Sequence, residues 1–202
     1  MTTKVKGDLT NMNKKDLKAQ IQQYETFNEQ EEIDKKVMLN FINSFEDVVT
    51  RNNEFGHFTA SAFVVNEDFD RALLVHHNIF GGFIYPGGHA DGEYDLLRVA
   101  TREVSEETGL DVVPVNNAIF ALQACPIKGH VKKGKYVTAH IHYDILFLLM
   151  AKNLDMNKIR ILESENSQVK WATLEETYDA NAVDWIKPIN QKIVEKIRKI
   201  RG

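Results

Sequence analysis

Three glutamates stand close together in residues 95–108, namely Glu103, Glu106 and Glu107. Residues three and four apart lie on one side of an α-helix, so a helix here points these carboxylates the same way. A turn of about 100° per residue places Glu103 and Glu107 on the apolar flank of that helix, towards the protein. The apolar members of this flank are Leu96, Leu97, Ala100 and Val104.

Such a placement of charge is unfavourable unless a cation accompanies it. Neighbouring carboxylates repel each other, and burial without a partner destabilises the protein or raises the carboxyl pKa. A hard divalent cation relieves both effects, and oxygen ligands without cysteine favour Mg²⁺ or Mn²⁺ over Zn²⁺. The alternative is a solvated helix whose glutamates serve solubility. That interpretation leaves the apolar position of Glu103 and Glu107 unexplained, so the segment is a candidate metal site.

Two neighbouring features fit a site for a metal ion and a phosphate. Arg102 adds a permanent cation, whose planar guanidinium can orient a carboxylate or a phosphate. The Gly87-Gly88 turn before the helix lets the backbone approach an ion or a phosphate closely. A glycine-rich turn alone is weak evidence, but a carboxylate helix that follows it strengthens the prediction considerably.

The segment from position 87 to position 110, GGHADGEYDLLRVATREVSEETGL, resembles the signature of the Nudix hydrolase family. Its PGGHADG loop is similar to that of a bacterial subgroup. The resemblance implies an α/β/α sandwich with a mixed sheet. It also implies hydrolysis of a phosphoanhydride bond in a nucleoside diphosphate linked to another moiety, by a metal-activated water. The matching positions are Gly88, Arg102, Glu103, Val104, Glu106, Glu107, Gly109 and Leu110.

The resemblance also implies a role for each site residue. The carboxylates of Glu103, Glu106 and Glu107 and the carbonyl of Gly87 would hold Mg²⁺ or Mn²⁺. Arg102 would orient the carboxylates. A loop glutamate before the strand that contains Trp171 would complete the metal site or act as the base, and the two candidates are Glu163 and Glu165.

One position departs from the family pattern. Tyr94 stands where the family usually has its first glutamate, and Glu93 immediately precedes it. The resemblance implies that the first glutamate supports the metal site from behind. We therefore expect Glu93 to take over this role and to hold Arg102 against the metal-binding glutamates.

Polar residues outside the motif are candidates for the substrate cleft. His140, His142 and Asp144 alternate along a predicted strand and therefore face the same way. They form either a wall of the cleft or a set of hydrogen-bonded sheet residues. Lys132, in the basic loop 128–135, either attracts a polyphosphate or is simply solvated. The histidines that flank the glycine-rich loop would join the wall, with a His-rich zinc site as the alternative, and are His57, His76, His77 and His89.

The substrate and two rival functions remain open from these residues. Pro126 lies sixteen residues beyond Leu110, a spacing that resembles the ADP-ribose-cleaving Nudix group. A nucleotide sugar, a dinucleotide and a triphosphate are the alternatives. An isopentenyl-diphosphate-isomerase-like enzyme would need a catalytic cysteine near the glycine-rich loop, and Cys125 is not there. A catalytically weak, nucleotide-sensing Nudix domain would normally lack one metal glutamate, whereas all three are present.

Helices and strands must position these groups. Apolar residues at helical spacing predict a helical N-terminal extension over residues 1–50, followed by a Nudix domain over 51–202. In the second predicted helix, Asn28 and Glu31 resemble a capping arrangement. We expect the extension to pack on its own domain, with a homodimer through this arm as the alternative. The apolar side of that helix is predicted as Ile33, Val37, Phe41 and Phe45, with Met38 and Ile42 beside them.

The remaining elements follow from alternation and from capping residues. Strands are predicted at 58–65, 71–76, 118–124, 138–150 and 167–173. The carboxylate helix should begin after Asp95 and end before Gly109. A closing amphipathic helix is predicted from Ile186, Ile189, Ile193, Ile197 and Ile200.

Composition limits which binding partners and which cellular compartment are expected. A net charge of -4 over 202 residues gives no general argument for nucleic-acid or membrane binding. Cys125 is the only cysteine, so neither a disulfide framework nor a thiolate metal site is expected. The first residues lack the apolar core of a signal peptide, and no apolar run is long enough to span a bilayer. The expected setting is the cytoplasm, with a small nucleotide as the substrate.

Overall fold

The computed structural model describes residues 12–78, 81–132, 134–152, 159–164, 166–178 and 186–202. Its helices are α1 (Lys14–Gln23), α2 (Glu29–Ser44), α3 (Leu96–Thr108), α4 (Leu174–Tyr178) and α5 (Ile186–Arg201). Its strands are β1 (Gly56–Val65), β2 (Arg71–His77), β3 (Gly82–Ile84), β4 (Gly87–His89), β5 (Val112–Pro114), β6 (Ala121–Ile127), β7 (His130–Lys132), β8 (Lys135–Val137), β9 (His140–Ala151) and β10 (Asn166–Thr173).

One mixed sheet forms the centre of the described structure, with the strand order β10-β2-β1-β9-β5. Strands β1 and β9 pair in parallel, whereas the other pairs in this sheet are antiparallel. The short strands β3 and β4 pair with β2 and β1, and β6 pairs with β9. A parallel pair needs a long crossover connection, and α3 lies within the segment that connects β1 to β9.

The sheet has a layer of helices on each face. Successive side chains of a strand point to opposite faces. Accordingly, Ala60 and Ala62 of β1 lie in a core with α1, α2 and α3, whereas Phe63 and Val65 lie in a second core with α5. The predicted α/β/α sandwich with a mixed sheet and helical N-terminal residues is therefore confirmed.

Helix α3 has the bounds that its sequence predicts. The side chain of Asp95 accepts a hydrogen bond from the Arg98 N–H at the helix start. Gly109 ends the helix in the left-handed conformation, with φ of 71°, which glycine adopts without the steric cost of a Cβ. The buried side of the helix comprises Leu96, Val99, Ala100, Val104, Glu107 and Thr108.

The N-terminal helices pack in cis against the sheet and α5. Leu17 and Ile21 of α1 are fully buried in the core that also contains α3. Asn28 caps α2 by accepting the N–H of Glu31 at 3.0 Å, as the sequence predicts. The Glu31 side chain does not complete a capping box, because its carboxylate accepts the N–H of Phe27 at 2.9 Å.

The predicted apolar side of α2 is partly wrong. Ile33 is 55% exposed and Val37 is also exposed, whereas Met38, Phe41 and Ile42 are buried. The helix is rotated about its axis because Glu31, one of the acidic residues in its first turn, is completely buried. Favourable partners for that carboxylate on α5 outweigh the burial of Ile33.

Two other segments differ from their predictions. The basic loop 128–135 is mostly a β-hairpin, in which β7 and β8 pair around Gly134, whose φ is 76°. A positive φ suits a tight turn between strands, and glycine permits it. The predicted strand 118–124 begins and ends three residues before β6, which covers Ala121–Ile127. In α5, Ile200 is exposed because it lies in the last turn of the helix.

Candidate active site

A short edge strand brings the glycine-rich turn to the carboxylate helix. Strand β4 pairs with β1, with Gly87 opposite Ser61 and Gly88 opposite Ala60. The N–H of Gly87 donates to the Oε1 of Glu107 at 2.8 Å. A Cβ on Gly87 would lie 2.5 Å from the Ser61 hydroxyl and 2.7 Å from the Ala60 carbonyl oxygen. The close approach of β4 to β1 therefore requires glycine at this position.

Gly88 leaves the space that the Glu103 carboxylate occupies. A Cβ on Gly88 would lie 2.5 Å from both the Cδ and the Oε2 of Glu103. Only a residue without a side chain allows the backbone of β4 to approach that carboxylate so closely. The glycine turn therefore approaches the carboxylate cluster, as predicted. Gly88 lies against Glu103, and Gly87 lies against Glu107.

Glu107 is the most deeply buried of the three glutamates, with 2% of its surface exposed. Its Oε2 accepts a hydrogen bond from the Nδ2 of Asn166 at 2.6 Å, and Asn166 is itself fully buried. Asn166 is not among the predicted site residues, because its spacing from α3 in the sequence carries no signal. The only indication is an amide side chain at the first position of β10.

Arg102 lies beside the other two glutamates. Its Nη2 is 3.0 Å from the Oε1 of Glu103, and its Nε is 3.7 Å from the Oε1 of Glu106. The Glu103 side chain is 13% exposed, whereas that of Glu106 is 56% exposed. The solvent exposure of the three carboxylates on α3 thus increases from buried Glu107 through Glu103 to Glu106.

The expected contact between Glu93 and Arg102 is wrong. The Glu93 carboxylate forms an ion pair with Arg98, and it accepts the N–H of Asp95 at 3.0 Å. Arg98 lies one turn closer to the start of α3 than Arg102, and so it is the arginine within reach of a residue just before the helix. Tyr94 packs against the core that contains α3. Any support that Glu93 gives to the site therefore acts through the start of the helix.

Two glutamates before β10 are predicted to assist the site. Glu163 is among the described residues, whereas Glu165 lies outside them. Glu163 is exposed, and its carbonyl accepts a hydrogen bond from Asn78 at 3.2 Å. The same loop contacts the carboxylate helix, because the Leu162 N–H donates to the Glu107 carbonyl at 3.3 Å.

Asp144 is a hydrogen-bonded sheet residue. Its Oδ1 accepts the hydroxyls of Thr59 and Ser61 at 2.9 and 2.8 Å, and its Oδ2 accepts the Gln123 amide at 2.6 Å. Burial raises the pKa of Asp144, and these three hydrogen bonds oppose that rise. The carboxyl group thus links β1, β6 and β9 below the glycine turn.

The histidines on β1, β4 and β9 converge, and His140 and His142 lie on the same face of β9, as its alternation predicts. The ring centroids of His89 and His142 are 4.9 Å apart, and that of His57 lies 4.9 Å from His142 and 5.1 Å from His140. Burial lowers the pKa of His57 to about 4, that of His89 to about 3 and that of His142 to about 2. These three rings are therefore neutral at neutral pH, with a free lone pair each.

His76 lies apart from this histidine cluster. Its Nδ1 is 2.8 Å from the Ser167 hydroxyl, and its ring stacks edge-on against Phe83. Lys132 is exposed on β7, within electrostatic range of His89. Cys125 lies opposite His142 in the pairing of β6 with β9, and burial raises the pKa of its thiol well above the usual value. The thiol therefore stays protonated, unlike a catalytic thiolate.

Residues 56–196 match a family model described as the NUDIX domain. The chain belongs to the Nudix family. This match covers the sheet, α3 and most of α5, and it begins after the two N-terminal helices. Among curated proteins, no sequence matches the chain.

Solved structures of other Nudix proteins share this fold. A NUDIX-family hydrolase from Clostridium perfringens is 22% identical, with a TM-score of 0.50 over 71% of this chain and 97% of that chain. A MutT protein from Methanosarcina mazei Go1 is 17% identical, with a TM-score of 0.53 over 79% and 100% of the two chains. A NUDIX hydrolase from Nitrosomonas europaea is 19% identical, with a TM-score of 0.52 over 71% and 89%.

The residues of this Nudix helix fit a hard divalent cation. Glu103, Glu106 and Glu107 supply carboxylate oxygens, which Mg²⁺ and Mn²⁺ prefer. Among the described residues, the fully buried Oδ1 of Asn166 accepts no hydrogen bond, so one further oxygen lone pair beside Glu107 is available. No helix in the described part of the chain is both long and apolar enough to cross a membrane.

Proposed function

We propose that this Nudix protein hydrolyses a phosphoanhydride bond in a nucleoside diphosphate linked to another moiety, with Mg²⁺ or Mn²⁺ as the cofactor. The observation that carries the proposal is the position of Glu103 and Glu107. Both carboxylates are withdrawn from solvent on one side of α3, and each lies against the backbone of the Gly87-Gly88 turn. Two adjacent carboxylates held in this way are unfavourable without a cation.

The proposed metal ligands are Glu103, Glu106, Glu107 and the carbonyl of Gly87. A divalent cation there supplies Lewis-acid chemistry, since it activates a water and neutralises charge on phosphoryl oxygens. The chain itself supplies orientation. The Gly87 N–H and the Asn166 amide fix both oxygens of Glu107, and Arg102 fixes Glu103.

Arg102 is also the fixed cation that faces solvent beside the carboxylates. Its side chain is 41% exposed, so the guanidinium has donors left for a phosphate oxygen of the substrate. We propose Glu163 or Glu165 as the assisting base, because the segment before β10 contacts the end of α3 through the Leu162 N–H and the Glu107 carbonyl. Substrate contacts are proposed for His89, His140 and His142 on the sheet and for Lys132 on the hairpin.

Two rival functions are less favoured by particular residues. A nucleotide-sensing Nudix domain without activity would normally lack one metal glutamate, and Glu103, Glu106 and Glu107 are all present. An isomerase that depends on a cysteine would need a reactive thiolate, whereas Cys125 is a partly buried thiol on β6 whose pKa is raised well above the usual value.

The experiment is hydrolysis of a substrate panel with and without Mg²⁺. The panel contains ADP-ribose, a nucleotide sugar, a dinucleoside polyphosphate and a nucleoside triphosphate, and products are separated chromatographically. We expect Mg²⁺-dependent cleavage of at least one diphosphate-linked compound. Glu103→Gln and Glu107→Gln should each lower kcat by roughly a hundredfold, whereas Glu195→Gln, on the exposed side of α5, should not. Wild-type turnover in both site variants would refute the assignment.

A thermal experiment tests the cation separately from turnover. Saturating Mg²⁺ should raise the Tm of the wild-type protein, because an ion that binds only the folded state stabilises it. The shift should be much smaller in a Glu103→Gln, Glu107→Gln double variant. Equal shifts in the two proteins would place the ion elsewhere.

A further inference from the structure

The histidine cluster has the arrangement of a second metal site, separate from the carboxylates of α3. His57 of β1 lies opposite His142 in the parallel pairing with β9, and His140 is two residues earlier on the same face. One ring nitrogen from each of these three residues lies within 4.8 Å of the other two. A zinc ion bound by imidazoles at about 2.0–2.1 Å separates its ligand atoms by roughly 3.3 Å. Small rotations of the side chains are enough to reach that spacing.

His57 carries the strongest indication, because its ring is buried and lacks hydrogen-bond partners. Only 3% of the residue is exposed, and neither its Nδ1 nor its Nε2 has a partner among the described residues. The backbone of Asn53 is close enough to raise the pKa of His57 a little against the effect of burial. It does not have the geometry of a hydrogen bond to either ring nitrogen. Buried polar atoms are almost always paired, so the unpaired nitrogens of His57 need an explanation, and binding of an ion is one.

His140 is oriented as a metal ligand would be. Its Nδ1 lies 2.8 Å from the carbonyl oxygen of Thr138, and an imidazole nitrogen at that distance from a carbonyl donates its proton. The Nε2 of His140 therefore carries a lone pair. Metal-ligating histidines typically donate their second ring N–H to a carbonyl or carboxylate in this way.

The Nε2 of His140 lies 3.1 Å from the Nε2 of His142. Two nitrogens at this distance share either one proton or one cation. A shared proton satisfies this pair but leaves both nitrogens of His57 without a partner. A cation bound by one nitrogen of each ring satisfies this pair and also gives one nitrogen of His57 a partner.

We propose that His57, His140 and His142 bind a divalent transition-metal ion, for which Zn²⁺ is the natural probe. Neutral imidazoles suit zinc and its neighbours, whereas Mg²⁺ prefers carboxylates and water. Three histidines leave a fourth position for water or for an anionic ligand, so with the ion bound His140 and His142 would contact the substrate through that position and not directly. His89 borders the cluster, and its strand β4 also contains the Gly87-Gly88 turn. The site therefore adjoins the carboxylates but differs from them in its metal preference.

The experiment is a calorimetric titration of the metal-free full chain with Zn²⁺ in excess Mg²⁺. We expect one equivalent to bind. His140→Gln and His142→Gln should each weaken binding at least tenfold, since the loss of a ligand costs no less than the loss of a supporting group. His76→Gln is the matched control and should bind Zn²⁺ normally. A Glu103→Gln, Glu107→Gln double variant should also keep this equivalent, which separates the site from the carboxylates.

Three outcomes would overturn the proposal. They are the lack of a one-equivalent phase in the wild-type protein, unchanged affinity in both histidine variants, and loss of binding in the carboxylate variant. Circular dichroism establishes that each variant is folded. If the histidine variants do not fold, Co²⁺ binding to the wild-type protein decides. Intense visible d–d absorption, typical of four-coordinate cobalt, supports the site, and the weak spectrum of octahedral cobalt refutes it.

Discussion

The Nζ of Lys192 on α5 lies 3.0 Å from the Oε1 of Glu31 on α2, with both side chains buried. Lys196 lies 3.8 Å from the same oxygen, and the Tyr24 hydroxyl donates to the other carboxylate oxygen at 2.6 Å. Lys192 also donates to the carbonyl of Leu122 on β6 at 3.0 Å. This network joins the N-terminal helices, the sheet and the C-terminal helix.

Removal of the Glu31 charge should destabilise the whole protein. Glu31→Gln leaves buried Lys192 and partly buried Lys196 without their anion, and breaking a buried ion pair from one side costs about 3–5 kcal/mol. We expect a loss of that order in the free energy of unfolding, measured by urea denaturation. Glu32→Gln, an exposed neighbour on α2, should change it little. The double variant Glu31→Leu, Lys192→Met should lose less than the two single changes together, and strict additivity would contradict the coupling.

The same carboxylate makes stability depend on acid. Burial alone would raise the pKa of Glu31, but Lys192, the Tyr24 hydroxyl, the Phe27 N–H and Lys196 together hold it below its usual 4.5. The unfolded chain then takes up a proton at a higher pH than the folded protein. The contribution of Glu31 to stability is complete above about pH 4.5 and is lost as the pH falls towards the lowered folded pKa.

Unfolding curves between pH 6 and pH 3 test this dependence. The wild-type protein should lose more stability over the acid range than Glu31→Gln, which has no carboxylate to protonate at this position. Asp34, the other acidic group near Lys192, is present in both proteins and so cancels from the comparison. Parallel curves would show that Glu31 has the same pKa in the folded and unfolded chain.

Gly88→Ala should displace the Glu103 carboxylate, because the new Cβ would lie 2.5 Å from its Oε2. We expect kcat to fall by roughly 10–100-fold, the range typical of a misplaced metal ligand, with the fold retained. The control is a double-mutant cycle for stability. In a Glu103→Ala background the collision no longer exists, so Gly88→Ala should destabilise the protein less there than in the wild type. An equal effect in the two backgrounds would exclude the collision.

Asn166 should behave as a positioning residue for Glu107. Asn166→Ala removes the hydrogen bond to the Glu107 Oε2, and we expect roughly a 10–100-fold loss of activity that higher Mg²⁺ partly restores. Asn166→Asp should be worse, since it places a second carboxylate beside a buried one. Ser167→Ala, a change at the exposed next residue, is the control. A kcat that does not respond to Asn166→Ala at any Mg²⁺ concentration would exclude this role.

The sequence predicted the features that depend on residues close together in the chain. The caps at Asp95 and Gly109 and the buried flank of α3 follow from local spacing, and they are confirmed. The burial of Glu31 could not be predicted, since its partner Lys192 lies near the other end of the chain. The partner of Glu93 could not be predicted for a different reason, because Arg98 and Arg102 lie one helical turn apart and the sequence does not distinguish them. Only the geometry at the helix start selects Arg98.

Asn166 and His57 were missed or left open for a related reason. Each is a polar residue at the beginning of a strand, where sequence gives the face but not the neighbour across the sheet. The parallel pairing of β1 with β9 brings His57 to His142, and the start of β10 places Asn166 beside Glu107. Neither register follows from the residues alone.

The ion pair between α2 and α5 also constrains how the chain is made. A chain is synthesised from its N-terminus and leaves the ribosome in that order, so Glu31 emerges long before Lys192 and Lys196 are synthesised. During that interval, burying the carboxylate would leave its charge without a cation. Helices α1 and α2 therefore cannot bury Glu31 together with its cations until α5 has been synthesised. Translation that stops upstream of Lys192 would leave these two helices unable to complete their packing.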